Sequence, residues 1–278
     1  SSAIWLEMRR YAVRVALLAV EGIDAVVWRR NEARLRQDGW AEEALATTVA
    51  EAEQEAAGEG EAADAGRVEV SEAALRYVVH PYRGQKSGFY CDHRENRRRV
   101  ARLCEGRSVL DLYCYSGAFS LGAARAGAAA TLGVDSSAAA VSLARENAEL
   151  NGLGHVASFE QADVTDFLLS AEHTYDVVVC DPSKLAPSVK DLKRATRKYT
   201  TVNALAMRAT RRGGLLLSCS CSAAMTQSGG FVAMLHEAAR AEGRAISVLE
   251  MSGAAADHVV NPAYPEGRYL TAALVAVL

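Results

Sequence analysis

Along this chain the spacing of hydrophobic positions changes period several times, and each change predicts an element. Residues 4–20 carry apolar side chains at helical spacing, and 25–28 is a short apolar run that predicts a strand. Residues 38–66 are dominated by Ala, Glu and Gly, which cannot bury a core, so a flexible or partly helical linker is expected there. Strand-like runs resume at 68–70 and 75–80. From residue 92 an alternation sets in, with helices expected at 92–105, 117–126, 137–151, 164–170, 188–211 and 226–242. The intervening strands are expected at 108–112, 129–135, 156–161, 175–180, 214–220, 244–250 and 269–277. Strands separated by helices build a parallel sheet covered on both faces, an α/β Rossmann-like architecture of seven strands. The last two strands have no full helix between them, so the final one is expected to run antiparallel. The implied organisation is a partial small α/β domain over 1–40, an acidic linker or insert over 41–66, and the main domain over 67–278.

In such a sheet ligands bind at the carboxyl ends of the strands. The first main strand ends in Asp111, followed by Tyr113, Tyr115, Ser116 and Gly117. This is not the multi-glycine turn that a pyrophosphate needs, and an acid at its entrance would repel phosphate. It suits a cofactor with an ammonium group and no phosphate, such as S-adenosylmethionine (SAM). Asp135 and Ser136 end the second strand, where an acid can take both ribose hydroxyls. Asp163 follows the third strand, where it could help hold an adenine amino group, and Asp181 follows the fourth. Any one of these acids could instead be a helix N-cap, Asp135 and Asp163 in particular. It is the ordered set of four that points to a SAM site.

Composition adjusts this picture in three places. Net charge is −3, but the eight acids and no bases of residues 41–66 account for −8, so the remainder carries +5. Basic clusters at 94–102 and at Lys184, Lys190, Lys193, Arg194, Arg197 and Lys198 could hold phosphates or be solvated helix faces. None of the six cysteines forms a pair with metal-ligand spacing, so free thiols in a reducing compartment and no metal site are expected. No long uncharged apolar run and no signal-peptide pattern occur, so a membrane span or secretion is not expected.

The segment Gly84-Gln85-Lys86-Ser87-Gly88-Phe89-Tyr90-Cys91-Asp92-His93-Arg94 resembles the G-x-K-T-G-F-Y-x-D-Q-R signature of RlmI-like methyltransferases. Asp111–Gly117, Asp181–Ala186 (resembling D-P-P-K-F-A), Ser220-Cys221-Ser222 (resembling S-C-S), Ala256–His258 and Tyr264–Leu270 are similar to the same family. The resemblance covers about 67–278, with 4–40 resembling part of the family's central domain. The family's usual amino-terminal PUA domain is not in this sequence. The resemblance implies a SAM-dependent enzyme making 5-methylcytosine in large-subunit ribosomal RNA, acting in the cytoplasm or in an organelle. It implies a cofactor site that includes Lys86, Phe89, Tyr90, Asp92 and Arg94, with Cys221 as nucleophile and Asp181 as its acid partner. The chain departs from the family pattern at His93 (for Gln), Ser183 (for Pro) and Leu185 (for an aromatic).

A thiolate adding to carbon 6 of cytosine makes carbon 5 nucleophilic, which is why a Cys suits this chemistry. Cys219 lies two residues away, on the same side if the strand continues, so geometry read from sequence does not separate the two. The rival readings are a guanine-nitrogen methyltransferase of the same fold, a small-molecule or protein methyltransferase, and a non-catalytic RNA-binding or assembly protein. Oligomeric state is left open, a homodimer included.

Overall fold

The computed structural model describes residues 8–23, 26, 35, 66–81, 84–85, 88–171, 174–186, 189–263 and 267–278. Statements below refer to these residues. The expected strand at 25–28 and the acidic segment 41–66 fall outside them, save for Val26 and Gly66. The chain divides into two compact units, residues 1–68 with 79–89, and residues 69–78 with 90–278.

The first unit contains helix α1 (Arg10–Leu18), which lies within the expected 4–20 and has no buried residue; residues 4–7 fall outside the described ones. It also holds the two glycines of the 84–94 signature. Gly84 and Gly88 donate their backbone N–H groups to the carbonyls of His80 and Gln85 at 2.6 and 2.8 Å. Gly88 sits at φ +95°, and a Cβ there would come within 3.1 Å of the His80 backbone, so only glycine fits that turn.

The second unit begins with a two-stranded ribbon of β1 (Val68–Glu72) and β2 (Leu75–Val79). The chain continues through α2 (Arg94–Ala101), β3 (Ser108–Leu112), α3 (Ala118–Arg125), β4 (Ala130–Asp135), α4 (Ala138–Leu150), β5 (Ala157–Gln161), α5 (Val164–Ser170) and β6 (Tyr175–Cys180). It finishes with α6 (Leu192–Ala209), β7 (Thr210–Ser220), α7 (Ala223–Ser228), α8 (Phe231–Ala241), β8 (Ile246–Ser252) and β9 (Thr271–Val277). Strands β3 to β9 form one seven-stranded sheet in the order β5-β4-β3-β6-β7-β9-β8. The pairs among β3, β4, β5, β6 and β7 are parallel, whereas β9 runs antiparallel to both β7 and β8. This is the expected Rossmann-like sheet with an antiparallel last strand, inserted between β7 and β8.

Most element ends shift by one to four residues from the sequence expectation, and two of the differences have a clear local cause. The helix expected at 226–242 is two helices, because Gly229 takes a left-handed φ of +68° and stops α7. Ser228 Oγ seals the break by accepting from Gly230 N at 3.1 Å and donating to Met225 O at 2.7 Å. Strand β7 starts at Thr210 rather than 214, because Tyr175 of β6 already pairs with Thr210. A register irregularity between Tyr175 and Val177 then absorbs the Arg211–Gly214 stretch.

Apolar residues of β3, β4, β6, β7 and β9 supply both faces of the sheet. One face packs on α5, α6 and α8 through Leu110, Val178, Tyr199, Met207 and Leu235, the other on α2 and α3 through Val109, Val100, Phe119 and Leu217. The sheet reverses direction of growth between β3 and β6, and at that switch point the parallel carboxyl ends present their loops side by side.

Candidate active site at the carboxyl ends of the parallel strands

The loop after β3 is shaped by backbone strain. Tyr113 and Tyr115 have φ of +64° and +46°, a region that bulky side chains rarely occupy, and Gly117 follows at +79°. Asp135, at the tip of β4, holds this conformation. Its Oδ2 accepts from Tyr115 N at 3.0 Å and its Oδ1 from Ser137 N at 2.9 Å. Gly117 is also required by packing, since a Cβ there would lie 2.8 Å from the Phe159 ring. Ser116 is buried, with its carbonyl accepting from Asn147 Nδ2 at 3.2 Å, and Ser136 is exposed.

Asp111 is only 1% exposed, and its Oδ2 accepts from both Ser120 N and Ser120 Oγ, at 3.0 and 2.8 Å. It ties β3 to α3 from inside the sheet. Burial pushes its carboxyl up from 3.8 to about 7, with the charges of Asp181 and Asp135 adding to the rise against the pull of the Ser120 bonds. Asp163 caps α5, its Oδ1 accepting from Thr165 N and Asp166 N at 2.8 and 3.2 Å.

Asp181 follows β6, beside the loop that leaves β3, with its backbone N–H reaching Leu112 O at 3.5 Å. Strand β7 ends at Ser220, so Cys221 stands just past the ladder. Its Sγ lies 3.9 Å from the Pro182 carbonyl, next to Asp181. The flanking serines are buried clamps. Ser220 Oγ donates to Tyr199 Oη at 2.9 Å, and Ser222 Oγ donates to Ala186 O at 2.7 Å, which joins the end of β7 to the turn after Asp181. A thiol between two anchored residues is held without being enclosed: Cys221 is partly exposed. Cys219 is fully buried, and desolvation pushes its thiol well up, reinforced by Asp181. The structure therefore separates the two cysteines that strand alternation leaves equivalent. None of the six cysteines is in a disulfide.

Tyr90 stands edge-on to Tyr115 with ring centroids 5.4 Å apart. Burial, and then the nearby Asp181 and Cys221, push its hydroxyl up to about 12. Asp92 is buried and accepts from Tyr269 Oη at 2.7 Å, while its carbonyl accepts from Ala255 N at 2.9 Å, which fastens the segment before β9 to the signature. Arg94 pairs with Asp257 at 2.9 Å, and Asp257 in turn meets His258 Nδ1 at 2.9 Å. Phe89 is buried within the first unit's part of the chain, and Lys86 lies outside the described residues.

Sequence reading registered His93 only as a departure from Gln. The structure buries it to 2% exposure, with Nε2 3.1 Å from Asp181 Oδ2 and the ring edge-on to Phe119 at 5.6 Å. His93, Asp181 and Cys219 each offer one donor atom within 4.8 Å of the others, a spacing that a hydrogen-bonded pair beside a buried thiol also produces. The one sequence signal for His93 was a polar ring three residues before Asn96, the spacing of facing side chains on a helical turn.

In the basic cluster at 94–102 only Arg97 is internal, while Arg94 and Arg99 are half-buried and Arg98 and Arg102 are exposed. Arg97 is 4% exposed and reaches both Glu72 carboxylate oxygens and Tyr90 O. Arg98 and Arg99 pair with Glu95 and Glu250. The second cluster stays on the surface: Lys184, Lys190, Lys193, Arg194, Arg197 and Lys198 are all exposed. No described helix is long and apolar enough to cross a membrane.

Comparison with known proteins meets the resemblance carried by the motifs. The chain is 40% identical over 206 residues to Ribosomal RNA large subunit methyltransferase I of Shewanella denitrificans, covering 72% of this chain and 51% of that protein. It thus spans about half the length of such curated relatives. Among solved structures, SMU.776, described as a methyltransferase and crystallised with SAH, superposes with a TM-score of 0.68 at 25% identity, covering 78% of this chain and 57% of that one. A protein described as a SAM-dependent methyltransferase from Streptococcus mutans gives the same TM-score of 0.68 and 25% identity, over 78% of this chain and 56% of the other. Residues 103–260, more than half of the chain, match the family model described as a methyltransferase domain, and the protein belongs to that family.

Proposed function

We propose that the protein transfers a methyl group from SAM to carbon 5 of a cytosine in large-subunit ribosomal RNA, with Cys221 as the nucleophile. The observation that carries this reading is the placement of a partly exposed thiol beside Asp181 at the switch point of the sheet. Cys221 is fixed there by two buried serines. A guanine nitrogen has its own lone pair and needs no such thiol.

The residues fit SAM. Asp111, Asp135 and Asp181 stand at the carboxyl ends of β3, β4 and β6, neighbours in the sheet, an acidic setting that favours a cationic cofactor and disfavours a phosphate. A carboxylate offers about four acceptor positions. Asp135 uses two on the backbone, leaving acceptor capacity for ribose hydroxyls. Asp163 likewise retains an oxygen beyond its cap bonds. When bound, SAM supplies the electrophilic methyl group.

The chain's own residues do the rest. The Cys221 thiolate adds to carbon 6 of the base, and the electron pair displaced from the 5,6 double bond makes carbon 5 nucleophilic. Asp181 holds a proton against N3 and offsets the charge that develops there. After methylation, loss of the proton from carbon 5 restores the double bond and releases the thiolate. A base in folded RNA must be turned out of its stack to reach this position. The exposed basic residues from Lys184 to Lys198 flank Asp181 in sequence and provide the phosphate-binding surface. Ribosomal RNA and free thiols both imply a reducing, ribosome-containing compartment such as the cytoplasm.

The test uses ribosomal RNA substituted with 5-fluorocytidine, in which fluorine blocks the last proton loss. Incubation with the protein and SAM is expected to trap a covalent protein–RNA adduct, kept in Cys219→Ala and lost in Cys221→Ala. Methyl transfer to natural RNA without an adduct would move the target from carbon to nitrogen. Absence of SAM binding would leave a non-catalytic RNA-binding protein.

A further inference from the structure

His93 makes contacts that go beyond filling space. Its ring is held on both nitrogens. Nδ1 lies 3.2 Å from Asn96 Nδ2, and Nε2 lies 3.1 Å from Asp181 Oδ2. Which nitrogen bears the proton follows from Asn96, and the orientation of the Asn96 amide follows from its other neighbours. Arg99 can only donate, and its Nη1 faces Asn96 Oδ1 at 3.4 Å. The Gly253 carbonyl can only accept, and it faces Asn96 Nδ2 at 3.4 Å. Ser252 Oγ donates to Oδ1 at 2.8 Å. The NH2 of Asn96 therefore points at His93, whose Nδ1 must accept. A neutral imidazole that accepts at Nδ1 carries its proton on Nε2.

We propose that His93 is a positioning residue for Asp181. Locked by Asn96 as the Nε2–H tautomer, it donates to Asp181 Oδ2 and so favours Oδ1 as the seat of any carboxyl proton. The proposal rests on the reading of Asp181 as the group that meets the substrate base. A carboxyl has two oxygens and one transferable proton, and because the carbonyl oxygen is the better acceptor, the oxygen that accepts from Nε2–H is the less favourable place for that proton. His93 thereby settles which oxygen serves N3, and the Phe119 ring at 5.6 Å and the buried setting keep the imidazole from turning. The logic matches that of other catalytic sites in which a fixed tautomer, rather than the mere presence of an imidazole, decides activity. Glutamine can do the same work, because its amide offers an N–H donor toward Asp181 and an oxygen acceptor toward Asn96.

Three readouts on the full chain test this. In wild-type protein with 15N-labelled histidine, NMR at assay pH is expected to show His93 protonated at Nε2 and bare at Nδ1. Protonation at Nδ1, alone or with Nε2, overturns the proposal whatever the activity. In methyl transfer from SAM to unmethylated large-subunit RNA, His93→Leu is expected to lower kcat roughly 10–100-fold, a range common when an orienting partner is lost. Its KM for RNA and its affinity for SAM are expected to hold. His93→Gln is expected to recover to within a few-fold of wild type. A His93→Leu protein as active as wild type, or a folded His93→Gln protein as impaired as His93→Leu, overturns it. Asp181→Asn separates the two layers. If that variant is fully active, the reading of Asp181 fails. If it is inactive while His93→Leu is normal, only the positioning role fails.

Discussion

Asp111 shows how a side chain singled out in sequence as a candidate cofactor residue also acts as a strut in the fold. Its place at the end of β3 was legible from the chain, but its contacts with Ser120 were not, because the two lie nine positions apart across a turn. The buried carboxyl is pushed up to about 7, so the folded state holds its proton more tightly than the unfolded chain does. Its stabilising contribution is full below the unfolded value near 4 and is lost as pH rises through 7. For a carboxyl displaced from 3.8 to about 7 the loss is at most about 4 kcal/mol. Asp111→Asn keeps an acceptor for Ser120 and removes the titration. The unfolding free energy of wild type minus that of the variant is therefore expected to fall between pH 4 and pH 7, as read by denaturant melts at each pH. A difference that does not change with pH would mean that Asp111 titrates normally. The two cysteines teach a related lesson. Alternation along a strand made Cys219 and Cys221 equivalent, and only the end of the ladder at Ser220 distinguishes them. Asp163 does cap a helix, as an isolated acid after a strand often does.

At the scale of elements, strands were read more faithfully than helix ends. β3 and β6 match their expected spans, since apolar runs between helices leave little freedom. The break at Gly229 and the early start of β7 depend on a left-handed glycine and on pairing with Tyr175, neither of which periodicity records. Packing between elements was likewise hidden. Gly133, inside β4, has no turn to make, yet a Cβ there would lie 2.5 Å from Phe159 and 3.0 Å from Cys114 Sγ. The bare backbone of β4 is the surface on which the Phe159 ring from β5 lies, between the sheet and the loop after β3. Gly133→Ala is expected to overpack this contact and cost about 1–3 kcal/mol in thermal or denaturant unfolding. Because Cys114 belongs to the strained loop, affinity for SAM is expected to fall as well. Pairing the change with Phe159→Leu should recover part of the stability, and additive losses would show that the two residues do not share the space.

At the scale of the whole molecule, net charge misleads and distribution informs. The overall −3 conceals +5 outside residues 41–66. Sequence alone gave the two basic clusters equal standing. The fold separates them in degree: Arg97 of α2 is buried on Glu72 and Arg94, Arg98 and Arg99 each pair with an acid, whereas Lys193, Arg194, Arg197 and Lys198 of α6 are all exposed, with Arg194 beside Asp191. Within α6 the buried Ala195, Tyr199 and Val202 lie on the sheet side, which leaves Lys193, Arg194, Arg197 and Lys198 on one outer stripe. A phosphate contact releases counterions, so each one steepens the dependence of RNA affinity on salt by about 0.7–0.9 in a double-logarithmic plot. Lys193→Ala with Arg197→Ala is therefore expected to weaken RNA binding at low salt and to reduce that slope by about 1.5. SAM affinity should be unaltered, since neither side chain reaches the strand ends. Binding titrations across a series of salt concentrations decide the matter. A reduced slope with the same target preference places α6 along the RNA backbone, as a contact that positions rather than specifies. An unchanged slope removes α6 from the proposed RNA interface.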